Sequence, residues 1–346
     1  MTRRVVVTGV GVTSPLGYSM DELTRNLCEQ NSGIRIQEDW KEVDGLYTFL
    51  GGPAEDAEVD FPRKKVRGMG RVAKLAVRAT LDALEDAGLT PEDCGDGRCG
   101  ISYGSTQGSS DALVDFCTKV VEGGGISGIR PSSYIKFMSH TCAVNLATYL
   151  SVKGRIVPTC SACTSGSQGV GYGYEAVKYG MQDRMICGGA EELHFMHAGV
   201  FDLMRATSTK MNDRPLDSPR PFDADRDGLV VGEGSATLIL EDLESARQRD
   251  AHIYCEVLGY GTTCDGAHLT APDREGMASA MRTALEDAET SPEAIEYINA
   301  HATATTVGDV CESRATHDVF GSETAISSTK GLTGHTLGAC GAVESL

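Results

Sequence analysis

Apolar residues recur along this chain with two periods, and the period identifies the element. Short apolar or β-branched runs at Val5 to Val12, Cys99 to Tyr103, Arg155 to Val157, Arg184 to Ala190 and Ser235 to Glu241 predict strands, the run at Arg184 to Ala190 a buried one. Apolar residues every three or four positions predict helices over Ser19 to Cys28, Arg71 to Ala87, Ser109 to Val121, Tyr134 to Val152, Gln168 to Tyr179 and His194 to Arg205. Gly88, with Pro91 just beyond, stops the second of these. Residues 31–62 are irregular and acidic, and 212–234 form a long loop rich in Asp, Pro and Gly. A second series follows. Its strands are His252 to Tyr260, Ile295 to Ala300 and Ala325 to Ser328. Its helices are Arg274 to Ala288 and Val307 to Phe320, with a last one starting at about His335.

The second series echoes the first. Ala83-Leu84-Glu85-Asp86-Ala87-Gly88-Leu89-Thr90-Pro91-Glu92 matches Ala284-Leu285-Glu286-Asp287-Ala288-Glu289-Thr290-Ser291-Pro292-Glu293, with a helix before and a strand after in both copies. The expected class is α/β: two duplicated halves, 1–250 and 251–346, with mixed sheets and helices in layers. In that scheme Cys163 and His335 occupy equivalent strand-to-helix turns and face each other across a pseudo-twofold axis.

Composition narrows the function classes. The 346 residues are 40% hydrophobic and 23% charged, ordinary for a globular chain. A formal net charge of −18 excludes a general nucleic-acid binder, which needs a dominant basic surface. No apolar run reaches the ~20 residues of a membrane span. The twelve Cys are scattered, several within apolar runs. That suits a cytoplasmic protein using Cys as a small hydrophobe, not a disulfide framework. Against the acidic background, Arg63, Lys64, Lys65, Arg67 and Arg71 form a basic cluster. It reads as a solvated face or as a docking patch for an acidic partner.

The segment Pro158-Thr159-Cys160-Ser161-Ala162-Cys163-Thr164-Ser165-Gly166 places two thiols where a strand turns into a helix. Unpaired N–H groups and the helix dipole there favour thiolate, hence a nucleophile. Chemistry alone leaves Cys160 and Cys163 both open. Two more turns after strands carry histidine: Asn299-Ala300-His301-Ala302-Thr303-Ala304-Thr305 and Lys330-Gly331-Leu332-Thr333-Gly334-His335. Rival readings are weaker. Gly9-Val10-Gly11 lacks the third glycine of a dinucleotide site. Cys160-x-x-Cys163 has no second pair for zinc, and the calcium-like Asp223-x-Asp225-x-Asp227-Gly228 has glycine at its twelfth position. His194 and His197 have no third ligand, so no metal is expected.

Together, Ser161-Ala-Cys-Thr-Ser-Gly166, His301 in its Thr-rich turn, and Lys330 five residues before His335 resemble the β-ketoacyl-acyl carrier protein synthases, types I and II. Phe222-Asp-Ala-Asp-Arg-Asp-Gly228, Gly232-Glu-Gly234, Val7-Thr-Gly-Val-Gly11 and Gly188-Gly-Ala-Glu191 match the same family, from residue 3 to the end. The resemblance implies a thiolase-like fold and a decarboxylating condensation of an acyl thioester with a malonyl thioester. By resemblance, Cys163 takes the acyl group, and His301 and His335 donate to the enolate oxygen. Lys330 and Glu312 match family positions, and we read them as an ion pair that fixes His335 and the local water; by resemblance Thr303 and Thr305 hydrogen-bond the pantetheine arm. Lys64 and Arg67 dock the carrier. No cofactor is bound; acyl carrier protein delivers the phosphopantetheine arm. The partner set implied is that carrier and a second subunit, identical or related, paired through the strand beside the nucleophile turn.

Two departures matter. Ala302 replaces the family's usual glycine, which suggests a specialised branch such as polyene synthesis. Family members also continue past Gly341 with more helix, further strands and a Gly-rich loop bearing a gating Phe, whereas this sequence stops at Leu346. An unpaired sheet edge and exposed core are expected there. The alternative is therefore an inactive truncated synthase or a non-catalytic partner like the chain-length factors. Those subunits generally lack the nucleophile, so Cys163 and both histidines favour the enzyme.

Overall fold

The computed structural model describes residues 2–54, 61–267 and 272–346; positions 55–60, the end of the predicted acidic stretch, lie outside it. The strands are β1 (Val5–Thr13), β2 (Arg35–Ile36), β3 (Leu50–Gly52), β4 (Cys99–Gly104), β5 (Ile156–Thr159), β6 (Arg184–Glu191), β7 (Val231–Gly232), β8 (Gly234–Asp242), β9 (Cys255–Val257), β10 (Tyr297–Asn299) and β11 (Ala325–Ser327). The helices are α1 (Met20–Cys28), α2 (Arg71–Asp86), α3 (Ser110–Glu122), α4 (Thr141–Leu150), α5 (Ser165–Lys178), α6 (Phe195–Leu203), α7 (Leu243–Gln248), α8 (Arg274–Asp287), α9 (Gly308–Phe320), α10 (Lys330–Thr333) and α11 (Cys340–Glu344).

Six strands form one mixed sheet in the order β5-β4-β6-β8-β1-β9. β4 is parallel to β5 and β6, while β8 runs antiparallel to β6 and β1. Side-chain alternation sends the two faces into different cores. Ile186, Ala190 and Ile239 join α2 and α4, while Met185, Cys187, Leu238 and Leu240 join Tyr174 and Val177 of α5. Every residue of β1 is buried, as befits a strand covered on both faces. β10 and β11 form a separate two-stranded parallel sheet, with Tyr297 and Ile326 exposed.

The sequence echo has a structural counterpart. A Cβ on Gly9 or Gly11 would lie 2.3 Å from the Ala83 carbonyl or 2.1 Å from that of Ala79. On Gly259 or Gly261 it would lie 2.6 Å from the Ala284 carbonyl or 2.2 Å from that of Ala280. In both halves a pair of glycines, on β1 in the first and just after β9 in the second, packs backbone directly onto the alanine face of the helix that carries the matched decapeptide. This contact also removes the dinucleotide reading of Gly9-Val10-Gly11, whose glycines face a helix and not a phosphate.

Three element predictions need correction. The helix expected over Tyr134 to Val152 begins at Thr141, after a 3-10 turn at Pro131–Lys136. There the Lys136 carbonyl accepts from the Ser109 N–H at 2.9 Å instead of continuing a helix. The strand expected over His252 to Tyr260 keeps three residues, those that pair with β1. The helix expected from His335 begins only at Cys340, because His335 exchanges backbone hydrogen bonds with the β7 strand: its N–H donates to the Val230 carbonyl at 2.7 Å and its carbonyl accepts from Gly232 at 2.8 Å. The twelve cysteines are free; five are buried, five exposed and two intermediate, so the small-hydrophobe reading holds for the buried ones. Among the described residues no helix is long and apolar enough to cross a membrane.

Candidate active site

The carboxyl ends of β4, β5 and β6 aim at one place, where the N-termini of α5 and α11 meet. A Cβ on Gly166 would lie 2.9 Å from the Ala342 nitrogen, and one on Gly341 would lie 2.9 Å from the Ser167 nitrogen. This reciprocal contact makes Gly166 and Gly341 counterparts. Each helix is entered through a residue with positive φ, Ala162 at 49° and Leu337 at 47°. Cys163 therefore corresponds to Gly338, and the expected equivalence of Cys163 with His335 is three residues out of step. The left-handed Ala162 projects the next residue into the cavity, and strain of this kind persists only where the surroundings fix it. Thr159 Oγ1 donates to the Ser165 carbonyl at 2.7 Å, and the Ser161 N–H donates to Ser165 Oγ at 2.8 Å.

Cys163, His301 and His335 come together. Cys163 Sγ lies 3.0 Å from His335 Nε2, and the two imidazole rings stand edge to face with centroids 5.0 Å apart. All three line a cavity of about 410 Å³ that also takes in Phe201, Thr303 and Thr305. Cys160, the other candidate thiol, is exposed, and its Sγ points to the Thr106 carbonyl at 3.1 Å. Geometry thus selects Cys163.

The resting charge state differs from the expected thiolate. Burial pushes the Cys163 thiol up to about 11, against the opposing pull of the Lys330 charge and its own backbone N–H. Burial drives the His335 imidazole well below its ordinary value, helped by His301 and Lys330. His301 presents an exposed face to the cavity, although protein packs densely around its ring; that crowding and the Lys330 charge push its pKa down too. The resting site at neutral pH is a thiol beside two neutral imidazoles, so the nucleophile needs a base, and His335 Nε2 is in reach. His335 Nδ1 has no hydrogen-bond partner among the described residues, so the contact of Nε2 with Cys163 Sγ is left to set the ring's tautomer.

The expected Lys330–Glu312 ion pair is not what forms. Lys330, at 1% exposure, pairs with Glu344 of α11. Burial works against the ammonium, but Cys340 and Glu344 outweigh it and hold Lys330 charged. Glu312 instead clasps the His301 turn: its two oxygens accept from the His301 and Ala302 N–H groups, each at 2.7 Å. Glu312→Ala should destabilise the fold by about 2–4 kcal/mol, the scale of two charge-assisted hydrogen bonds. Urea unfolding would read this, and an unchanged midpoint would refute it.

Sequence reasoning named several residues as motif members without giving them the positioning roles they have in this site. Glu191 Oε2 accepts from the N–H groups of Thr106 (2.9 Å) and Gly338 (3.1 Å), tying the end of β6 to both neighbouring turns. Burial raises its carboxyl to about 7. Arg226 donates to the Thr305 and Thr306 carbonyls at 3.1 and 3.0 Å, and Asp309 accepts from the Phe222 N–H at 2.9 Å. Asp227 accepts from Ser208 Oγ and the Thr209 and Lys210 N–H groups, so the calcium-like motif is a clamp on loops. His197 Nε2 lies 2.8 Å from Ser110 Oγ and 3.0 Å from Gln107, which leaves it engaged away from His194. The histidine spacing hinted at a pair, but nothing in the sequence pointed to these long-range partners.

The β-ketoacyl synthase N-terminal domain model matches residues 2–246, and the C-terminal domain model matches residues 254–346. The chain belongs to the β-ketoacyl synthase family. It is 38% identical to 3-oxoacyl-[acyl-carrier-protein] synthase 1 of Haemophilus influenzae over 99% of this chain and 84% of that one. The solved β-ketoacyl synthase of Burkholderia phymatum superposes with a TM-score of 0.95 at 48% identity, over 99% of this chain and 84% of that one. The ishigamide ketosynthase/chain length factor gives a TM-score of 0.89 at 34% identity, over all of this chain and 85% of that one. The fold is therefore the thiolase-like α/β fold of β-ketoacyl synthases. The family departure at Ala302 causes no backbone strain: positive φ falls at Ala304 instead, and Ala302 is buried with its N–H on Glu312.

Proposed function

We propose that this chain is a condensing acyltransferase that joins an acyl thioester to a malonyl thioester with loss of CO₂. The observation that carries the reading is the Cys163–His335 contact at 3.0 Å with His301 alongside, in a cavity reached from outside. In the first step Cys163 Sγ attacks the acyl carbon and its proton passes to His335 Nε2. The C–S bond to the carrier breaks, and the leaving thiolate takes that proton. The Cys163 N–H, at the start of α5, serves the oxyanion. In the second step the malonyl group loses CO₂ and leaves an enolate, whose oxygen accepts from N–H groups of the two neutral imidazoles. The enolate carbon then attacks the acyl carbon, the Cys163 C–S bond breaks, and the thiolate regains a proton from solvent.

Delivery by a carrier's phosphopantetheine arm suits the entrance. Thr303 and Thr305 line it, with their hydroxyls 3.2 Å apart. Lys64 and Arg67 lie exposed, whereas Lys65 is drawn to the Tyr149 carbonyl and Arg71 to Glu233, so the first two suit an acidic carrier surface. Acyl carrier protein is the favoured donor because relatives carry it in their names. A division near residue 250 fits the gap between the two family models. A second subunit, identical or of the chain-length-factor kind, fits the exposed Ile156 on edge strand β5.

Intact-protein mass spectrometry after incubation with an acyl-carrier protein tests the reading. A single acyl adduct, mapped to Cys163 and absent from Cys163→Ala, is expected. Folded protein that takes up no acyl group would instead favour a non-catalytic partner subunit.

A further inference from the structure

The three groups that line the cavity are also a ligand set. Sγ of Cys163 and one nitrogen each of His301 and His335 lie within 4.8 Å of one another. A tetrahedral zinc ion with bonds of ~2.3 Å to sulfur and ~2.0 Å to nitrogen holds such atoms about 3.5 Å apart. The observed Cys163 Sγ–His335 Nε2 separation of 3.0 Å is close to this spacing. The rings are perpendicular rather than stacked, so each can direct a nitrogen to the shared space. The fourth position opens onto the cavity of about 410 Å³, which leaves room for water.

Softness and charge also suit a borderline divalent ion. One thiolate and two imidazoles match zinc better than magnesium or calcium, which take oxygen ligands. Lys330 is the adverse charge nearby, but Glu344 engages it, and Glu312 adds a further carboxylate at the His301 turn. A second thiol, Cys340, lies 4.0 Å from His301 Nδ1 and belongs with Glu344 to an overlapping set. That set lacks Cys163 and His335 and does not include the nitrogen in contact with the nucleophile.

We infer that Cys163, His301 and His335 form a reversible zinc site, and that zinc bound there blocks acylation of Cys163. Binding releases the Cys163 proton to solvent and forms a Zn–S bond; chelation of the metal restores the thiol. The inference goes beyond the condensing reaction, and its first readout needs no carrier protein.

Cobalt(II) is the probe, because a thiolate ligand gives a near-ultraviolet charge-transfer band. The expected result is a one-to-one band in wild type, Cys160→Ser and Cys340→Ala, displaced by zinc and abolished in Cys163→Ala. His301→Ala and His335→Ala should each weaken binding by at least the roughly 100-fold that even an outer-shell partner can cost. Zinc should also protect Cys163 from iodoacetamide, with EDTA reversing the protection. Absence of the band from folded wild-type protein would overturn the inference. So would a band retained in Cys163→Ala but lost in Cys160→Ser or Cys340→Ala, which would place the metal on another thiol.

Discussion

Cys163→Ala should lower condensation by on the order of 10⁶-fold, the scale of losing a nucleophile that acts within a unit, while malonyl decarboxylation continues. The two halves of the reaction use different groups. Acyl transfer needs the sulfur at the α5 elbow; loss of CO₂ needs only donors at the enolate oxygen. Cys163 touches one of those donors, His335, but bears none of the enolate's charge itself. Released CO₂ and β-ketoacyl product measured on one sample separate the steps. Parallel loss of both activities in a folded variant would show that the thiol is needed for decarboxylation as well.

His301→Ala and His335→Ala should each slow decarboxylation by about 10²–10³-fold, the usual cost of one oxyanion donor. Their effects on acylation should differ. His335 Nε2 lies 3.0 Å from Cys163 Sγ and takes its proton in the proposed mechanism, so His335→Ala should also slow adduct formation. His301 Nδ1 lies 4.0 Å from Cys340 Sγ, and the proposed mechanism gives His301 no part in moving the Cys163 proton, so His301→Ala should leave the adduct largely intact. The pH profile gives an independent check. Burial lowers both imidazole pKa values in the folded state, so decarboxylation should show no break near 6.5, the ordinary histidine value. For stability the sign follows from linkage: below 6.5 the unfolded chain binds protons that the folded chain does not, so these residues make stability fall as pH drops from 6.5 toward the folded pKa values. A rate that titrates near 6.5 would mean that the histidines are solvated and ordinary.

The family resemblance and the convergence of Cys163, His301 and His335 were legible because they depend on local signals. Each residue sits on a turn after a strand, and small residues such as Ala162 and Gly166 mark where backbones approach. The packing of Gly9 and Gly11 on Ala79 and Ala83, and of Gly259 and Gly261 on Ala280 and Ala284, came only from the structure, because a glycine does not say which distant helix it faces. The basic cluster was visible as charge, but only burial and contacts divided Arg71 and Lys65 from Lys64 and Arg67.

What the sequence by itself determined was the succession of the main strands and helices and the nucleophile's turn, because side-chain period and turn chemistry act over a few residues; the short strands β2, β3 and β7 escaped it because they exist only by pairing with distant segments. Tertiary structure alone decided that Lys330 pairs with Glu344 while Glu312 holds the His301 turn, and that His335 leaves its helix for the β7 strand. It also decided that Cys163 rests as a thiol. Ion-pair choice, strand bridging and desolvation are set by groups distant in sequence that meet only when the chain closes, and a burial penalty exists only once the site is enclosed.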